Sequence, residues 1–275
     1  MRATPFSALI SRTRVASPAR VLAFAAALAS AVPSWAEKPA ADEPSASWGL
    51  GIGAASKQKP YTDFDRETKA FPILQFENKY VRIFGPGLEV KLPGLIIDEA
   101  QKFNFGLVAR YDLSGGYEAD DSPALAGMSE RKGSVWAGAR AKWENSLTNV
   151  TAEWTGDASG HSKGQLFSLG LDRTWRFGKH VMLTPRLVAK WQDSKYVDYY
   201  FGVRDSEVRS GRAAYRGDSG VSAEAGLRSI YMHDQHHSVL LDVGVTRLAS
   251  GIRSSPLVER STENAIFLGY IYRFR

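Results

Sequence analysis

Apolar and polar residues alternate along most of the chain, in short stretches separated by turns and loops. The last stretch shows this most clearly, because one side of a strand of period two carries Ile266, Leu268, Tyr270, Tyr272 and Phe274. The other side carries Phe267, Gly269, Ile271 and Arg273. A wholly apolar face that ends in aromatic residues is typical of the closing strand of an outer-membrane β-barrel, where aromatic side chains lie at the bilayer interface.

Further stretches with the same alternation precede the terminal strand. They cover residues 48–54, 71–77, 79–84, 88–92, 103–111, 135–143, 150–155, 167–175, 181–191, 221–228 and 239–246. With the terminal strand, the sequence predicts about twelve strands, an even number as bacterial barrels require. In the first stretch, Gly49, Gly51 and Gly53 occupy every second position, which predicts that this face lies in a crowded lumen.

The lengths of the connections support a barrel independently. If both termini are periplasmic, every predicted periplasmic connection is short, and the long ones at 57–69, 115–133, 197–219 and 249–263 are extracellular. A soluble sandwich has no reason to sort its loops in this way. The sequence therefore predicts an all-β fold, a single monomeric transmembrane antiparallel barrel over residues 48–275.

The N-terminal segment has the order of an export signal. Residues 1–36 contain four arginines and no acid, then the short apolar run 21–28 and the small-x-small site Ser34-Trp35-Ala36. The apolar run is shorter than the roughly 20 residues of a spanning helix. We therefore assign residues 1–36 to a cleaved signal peptide and 37–47, rich in Pro, Ala, Ser and acids, to a flexible leader. Export and a barrel together predict the outer membrane of a Gram-negative cell.

Composition narrows the choice of function. The whole chain has 35 basic and 29 acidic residues, and removal of the four signal arginines leaves 31 against 29, a net charge of +2. Nucleic acid is therefore not an expected partner. The absence of cysteine excludes disulfides, thiol catalysis and cysteine-ligated metals. We expect no cofactor.

Charged residues occupy many strand positions opposite the apolar ones. Because these positions face the lumen, we expect the charges to pair across a narrow, partly filled interior rather than to line a wide channel. The predicted lumen-facing set is Glu89, Arg110, Arg140, Glu153, Asp172, Arg186, Glu224, Arg228 and Asp242.

Three groups in loops and turns have candidate chemistry. The longest loop carries four arginines, Arg204, Arg209, Arg212 and Arg216. Guanidinium groups pair with phosphates, so these residues are candidates for contact with lipopolysaccharide. The alternative is that the acidic residues between them balance their charge at the surface. A predicted periplasmic turn contains His233, His236 and His237, a weak candidate for a zinc site. The simpler interpretation is a solvated turn. Neither Asp120-Asp121 nor His161-Ser162 has an identifiable third partner, so we predict no enzyme.

Several short motifs spread over nearly the whole mature chain follow one family pattern. They are Trp48-Gly49-Leu50-Gly51-Ile52-Gly53-Ala54, Pro60-Tyr61, Phe71-Pro72-Ile73, Leu125-Ala126-Gly127-Met128, Tyr200-Phe201-Gly202-Val203 and Ser255-Pro256-Leu257-Val258. Together they resemble the MipA/OmpV family of outer-membrane proteins. One departure is Arg212, which stands where the family usually has an apolar residue.

The resemblance implies a scaffold without catalytic residues. The member that gives the family its name links a lytic murein transglycosylase to a bifunctional murein synthase, a penicillin-binding protein. The resemblance implies a similar linking role for this chain. On this basis we expect the periplasmic turns at 145–148, 178–179 and 233–237 to contact murein enzymes. Other family members are regarded as porin-like, antigenic or stress-related, so the alternatives are a narrow porin-like channel for small solutes and a surface adhesin or antigen.

Overall fold

A computed structural model of the protein describes residues 46–98, 100–113 and 115–274. The predicted signal peptide, the leader up to residue 45 and Arg275 lie outside the described residues, so those assignments stay predictions. Ser47, placed in the leader by the sequence, is the first residue of the first strand.

Strands make up most of the regular structure in the described residues, with few residues in helices. The barrel strands are β1 (Ser47–Gln58), β2 (Glu67–Glu77), β3 (Val81–Phe84), β4 (Gly87–Asp98), β5 (Gln101–Tyr111), β8 (Val135–Glu144), β9 (Asn149–Asp157), β10 (Gln165–Asp172), β11 (Trp175–Phe177), β12 (Val181–Gln192), β13 (Gly220–Met232), β14 (His237–Arg247) and β15 (Thr262–Arg273). A separate hairpin in the connection after β5 consists of β6 (Gly116–Tyr117) and β7 (Arg131–Lys132). Two short helices lie in loops, α1 (Ser194–Phe201) and α2 (Ser250–Arg253).

Antiparallel pairing between successive barrel strands closes a ring. β5 pairs with β8 past the loop hairpin, and β1 pairs with β15 over a long register that includes Gly49 with Arg273. β10 and β11 both pair with β12, so they act as one interrupted strand. The result is a closed barrel of twelve strands, which confirms the predicted fold and strand number.

The apolar strand faces point outward. Ile52 is 63% exposed and Leu268 is 53% exposed, whereas Gly53 and Gly269 between such positions are buried. The inward glycines have large neighbours, since a Cβ atom on Gly53 would lie 2.7 Å from the Phe267 ring. Glycine is used here because the lumen beside β1 is already filled by side chains from β15 and β2.

The sequence prediction missed α1 and treated residues 197–219 only as a long loop. Asp193 caps the helix, because its carboxylate accepts a hydrogen bond from the Tyr196 N–H at 2.9 Å. Val197, Tyr200 and Phe201 then form the buried face. Their spacing of three and four residues after an Asp was the local signal for a helix. Neither helix in the described part of the chain is long and apolar enough to cross a membrane.

Candidate functional site

Loops pack into a solid layer over the end of the barrel that carries the long connections. We call this layer the loop cap (residues 59–66, 115–134, 193–219 and 248–261). Its buried core, completed by Trp136 and Leu166 from strands, contains Tyr61, Phe64, Tyr117, Leu125, Met128, Val197, Tyr200, Phe201, Val203, Leu248, Ala249, Ile252 and Leu257. These side chains come from loops that start at different places around the ring, so their packing spans the opening.

Hydrogen bonds join the same loops. The Tyr61 hydroxyl donates to the Tyr200 carbonyl at 3.1 Å, and the Thr62 N–H donates to the Leu257 carbonyl at 2.9 Å. The Ser122 hydroxyl donates to the Thr62 carbonyl at 2.7 Å. Burial raises the pKa of the Tyr61 phenol well above its usual value, so this donor keeps its proton. Residues that carry the family resemblance in loops distant in sequence therefore meet in one structure.

A buried ion pair connects two halves of the loop cap. Arg131 donates to both carboxylate oxygens of Glu207 at 3.0 and 2.9 Å, and the two side chains are 1% and 2% exposed. Arg131 also donates to the carbonyls of Tyr199 at 2.6 Å and Ser129 at 2.8 Å. Burial raises the pKa of Glu207, but the hydrogen bonds from Arg131 and from the Arg204 N–H outweigh it and lower that pKa to about 2. The Glu207 carboxylate thus stays charged at neutral pH.

The Arg212 side chain lies in the interior of the loop cap. It is 5% exposed, and its guanidinium donates to the carbonyls of Ala124 at 2.9 Å, Ala126 at 3.1 Å and Glu207 at 2.7 Å. The predicted lipopolysaccharide contact is therefore wrong for Arg212, because its donors are already used inside the fold. A charged side chain is tolerated at this position because backbone carbonyls replace water as acceptors.

The other arginines of the series lie at the surface. Arg209 is exposed but also donates to the Pro123 carbonyl at 2.8 Å. Arg204 and Arg216 are exposed and line a hollow of about 550 Å³ with Asp205. For these three residues the lipopolysaccharide contact stays a prediction.

One lumenal network joins β4, β5, β8 and β9. Arg140 donates to Glu153 at 2.7 Å and to Glu89 at 3.0 Å, and Arg110 is also paired with Glu153. Glu153 is 8% exposed. All four residues lie on strand faces opposite the exposed apolar residues.

A second lumenal network joins β12, β13 and β14. Arg186 donates to Asp242 at 2.8 and 3.1 Å and to Glu224 at 2.9 Å, and Arg228 donates to Asp242 at 2.7 Å. Asp172, from the expected set, accepts a hydrogen bond from the Asn149 amide at 2.9 Å. We expected the lumenal charges to pair across the interior of the barrel. That expectation is wrong for the charged residues of both networks, because their ion pairs join neighbouring or nearby strands of the same wall.

The histidine turn does not assemble a metal site. The Nδ1 atom of His236 lies 2.8 Å from the Arg273 carbonyl, and Nδ1 of His237 lies 2.6 Å from the Tyr270 hydroxyl. His233 instead donates its backbone N–H to the His237 carbonyl at 3.0 Å. Among the described residues, no three His, Cys, Asp or Glu side chains come together in a geometry that could hold a metal ion. The weak zinc candidate is therefore unsupported.

The family model of MltA-interacting protein MipA matches residues 50–274. The chain belongs to the MipA family. It is 27% identical over 229 residues to the putative outer membrane protein YiaT of Escherichia coli K12, covering 82% of this chain and 90% of that protein. It is 25% identical over 235 residues to the MltA-interacting protein of the same strain, with the same two coverages.

Among solved structures, the chain is similar to the COG4313 outer membrane channel from Pseudomonas putida F1. The TM-score is 0.46 at 13% identity, and the match covers 86% of this chain and 100% of that chain. Relatives in the MipA family are named outer membrane proteins, and this chain is a twelve-stranded barrel. The predicted family and the predicted outer-membrane location are confirmed. Because outer-membrane barrels have long extracellular loops and short periplasmic turns, we assign the loop cap to the extracellular side.

Proposed function

We propose that the protein is a non-enzymatic scaffold of the outer membrane that presents its periplasmic turns to cell-wall enzymes. The observation that carries the proposal is the loop cap, whose buried core of aromatic and aliphatic side chains covers the extracellular end. Because cell-wall enzymes lie in the periplasm, the periplasmic rim is the surface of the closed barrel that can reach them. One relative is named MltA-interacting protein, which supports a murein transglycosylase as the partner. A penicillin-binding protein would be the second enzyme held there.

Two periplasmic turns are already ordered for binding. In the turn at 145–148, the Asn145 side chain accepts the N–H groups of Leu147 at 2.8 Å and Thr148 at 3.0 Å. Asp234 accepts the N–H groups of His236 and His237 at 2.7 Å each. Such turns lose little conformational entropy on binding. The first turn also presents Leu147, which is 72% exposed.

Replacing Leu147 with Asp is expected to weaken binding of a murein transglycosylase at least about tenfold. Burying a leucine at an interface contributes roughly 1.5–3 kcal/mol, and 1.4 kcal/mol corresponds to a factor of ten. The measurement is biolayer interferometry with the refolded barrel in detergent, with folding checked by heat-modifiable gel mobility.

The matched control for this substitution is Val208→Asp. Val208 is 47% exposed and lies in the loop cap, on the opposite side of the membrane. Val208→Asp should leave enzyme binding unchanged. Equal affinities for the wild type and Leu147→Asp would contradict a role for this turn.

The second candidate function is a narrow channel for small solutes. It is favoured by a lumenal hollow of about 270 Å³ lined by Arg186, Lys190, Glu224 and Asp242. A charged, hydrated lumen can pass ions if the loop cap moves aside. A surface adhesin has no such observation in its favour and stays a prediction from the family resemblance.

Single-channel recording separates the two candidates. We expect no steady openings from the wild type in a planar bilayer, because the loop cap covers the pore mouth. The double variant Arg131→Ala/Glu207→Ala should conduct if the cap is the barrier. Steady wild-type openings that change in Arg110→Ala and Arg140→Ala would make transport the primary role.

We also propose that Arg204, Arg209 and Arg216 contact lipopolysaccharide. The support is their exposure at the extracellular end and the affinity of guanidinium groups for phosphates. The barrel is proposed to be monomeric.

A further inference from the structure

The barrel wall has a window on the extracellular side, above the short hairpin of β3 and β4. β2 pairs with β1 from Glu67 to Glu77, but it pairs with β3 only from Gln75 to Glu77. β3 ends at Phe84, and the chain turns back into β4 after two residues. In the described part of the chain, no strand therefore pairs with the second edge of β2 above this point.

Backbone polar groups of β2 face the window. The Leu74 carbonyl accepts the Gly85 N–H at 3.0 Å, so the even-numbered residues of β2 direct their N–H and C=O groups toward this edge. Pro72 has no N–H to leave unpaired, but Ala70 and Thr68 present both groups to the window. A sheet edge that is not paired or covered is unfavourable in a membrane.

The window lies at the depth of the outer leaflet. The outward apolar face of β1 begins at Trp48 near the periplasmic end. Farther along this face, Ile52 pairs with Pro72 of β2, and Ala54 pairs with Ala70. At the top of the window, Lys69 Nζ reaches over to the Leu113 carbonyl at 3.2 Å. The opening is therefore bounded by protein above and below, and its outer side faces lipid.

A hollow of about 410 Å³ adjoins the window beneath the β6–β7 hairpin. It is lined by Lys69, Tyr111, Tyr117, Glu118, Asp121 and Lys132, among others. The volume falls within the roughly 300–1,000 Å³ of small-molecule sites. Four cationic and four acidic side chains line it in all, so the charges balance and the site is not selective for a bare anion.

A buried side chain fixes the floor of the hollow. Lys59 is 6% exposed, and its Nζ donates to the Gly116 carbonyl at 2.8 Å and pairs with Glu67 at 3.0 Å. Lys59 therefore fixes the floor of the hollow, and the exposed Lys69 and Lys132 place ammonium groups at its rim.

We propose that the hollow and the window bind the sugar headgroup of a glycolipid from the outer leaflet. Sugar hydroxyls both donate and accept, and the hollow offers carboxylates as acceptors and ammonium groups as donors. Tyr111, 48% exposed at the rim, provides an aromatic face for a sugar ring. The acyl chains remain in the bilayer beside β2, and the headgroup covers the edge at Ala70 and Thr68.

Native mass spectrometry of the refolded full chain in detergent tests the proposal. The probes are a lipopolysaccharide with a short sugar chain, its deacylated headgroup, and phosphatidylglycerol. We expect one tightly bound lipopolysaccharide, competition by the deacylated headgroup, and weaker binding of phosphatidylglycerol.

Variants locate the site. Lys132→Ala removes an exposed ammonium group at the rim of the hollow, so the fold should persist while lipopolysaccharide binding weakens about three- to tenfold. Lys69→Ala should have an effect of about the same size. The control variant Lys195→Ala, at an exposed position of α1 that lines neither hollow, should bind lipopolysaccharide like the wild type.

Three results would overturn the proposal. Unchanged affinity in both Lys132→Ala and Lys69→Ala would show that lipopolysaccharide binds elsewhere. Phosphatidylglycerol binding as tightly as lipopolysaccharide would show a phospholipid contact without sugar recognition. A dimeric mass without bound lipid would show that the β2 edge is covered by a second copy of this chain.

Discussion

Replacing Arg131 with alanine is expected to destabilise the loop cap by about 3–5 kcal/mol. The substitution leaves the carboxylate of Glu207, 2% exposed, in the core without its guanidinium partner. It also removes the donors to the Tyr199 and Ser129 carbonyls. The measurement is hydrogen exchange of the amides at 124–131 and 203–212, which should lose protection while strand amides keep it.

The matched control is Arg209→Ala, in the same part of the loop cap. Arg209 also donates to backbone carbonyls, but its side chain is exposed, so the expected loss is about 1 kcal/mol or less. The double variant Arg131→Met/Glu207→Leu should be less harmful than Arg131→Ala, because it removes both charges together. Equal exchange rates in Arg131→Ala and Arg209→Ala would contradict this account of the ion pair.

Replacing Gly51 with alanine is expected to destabilise the barrel by about 3 kcal/mol or more, the upper end for overpacked sites. A Cβ atom at this position would lie 2.0 Å from the Tyr270 carbonyl oxygen. Because the obstacle is backbone, β1 and β15 must move apart, and the hydrogen bonds that close the ring weaken. The urea midpoint, read from heat-modifiable gel mobility, should fall and the yield of refolded barrel should drop.

Gly170→Ala is the matched control in another barrel strand. A Cβ atom there would lie 3.6 Å from Val188 Cγ2, which is ordinary van der Waals contact. This substitution should change stability by no more than about 1 kcal/mol and in the stabilising direction, since glycine within a strand is unfavourable by roughly 0.5–1 kcal/mol. If Gly51→Ala and Gly170→Ala gave the same midpoint, the close approach at the closing pair would not matter for stability.

The periodic part of the fold could be predicted from the sequence. Side-chain direction in a strand is a local property, because successive residues point to opposite faces. The alternation of Leu268 with Phe267 and Gly269 was therefore enough to assign one face to lipid and the other to the lumen. Loop lengths then predicted the orientation, because the chain order alone decides which turns share a side of the membrane.

The sequence predicted the roles of the loop side chains less well than the strands. Those roles depend on contacts with residues that are distant in the chain. The Arg212 side chain is buried by carbonyls at 124 and 126, more than 80 residues away in the chain. A row of arginines looks the same in sequence whether its members face water or a folded core. Likewise, His233, His236 and His237 are close in sequence, but two of the rings turn to different groups on or next to β15.

The sequence by itself determined the twelve strands, their faces and the family, since each rests on local periodicity or on short motifs. Tertiary structure alone decided the loop cap, where Tyr61 meets Tyr200 across 139 residues, and the ion pair of Arg131 with Glu207. It also decided the window, because the free edge of β2 follows from the register of its short neighbour β3. Register is a relation between strands, so no single strand's sequence contains it.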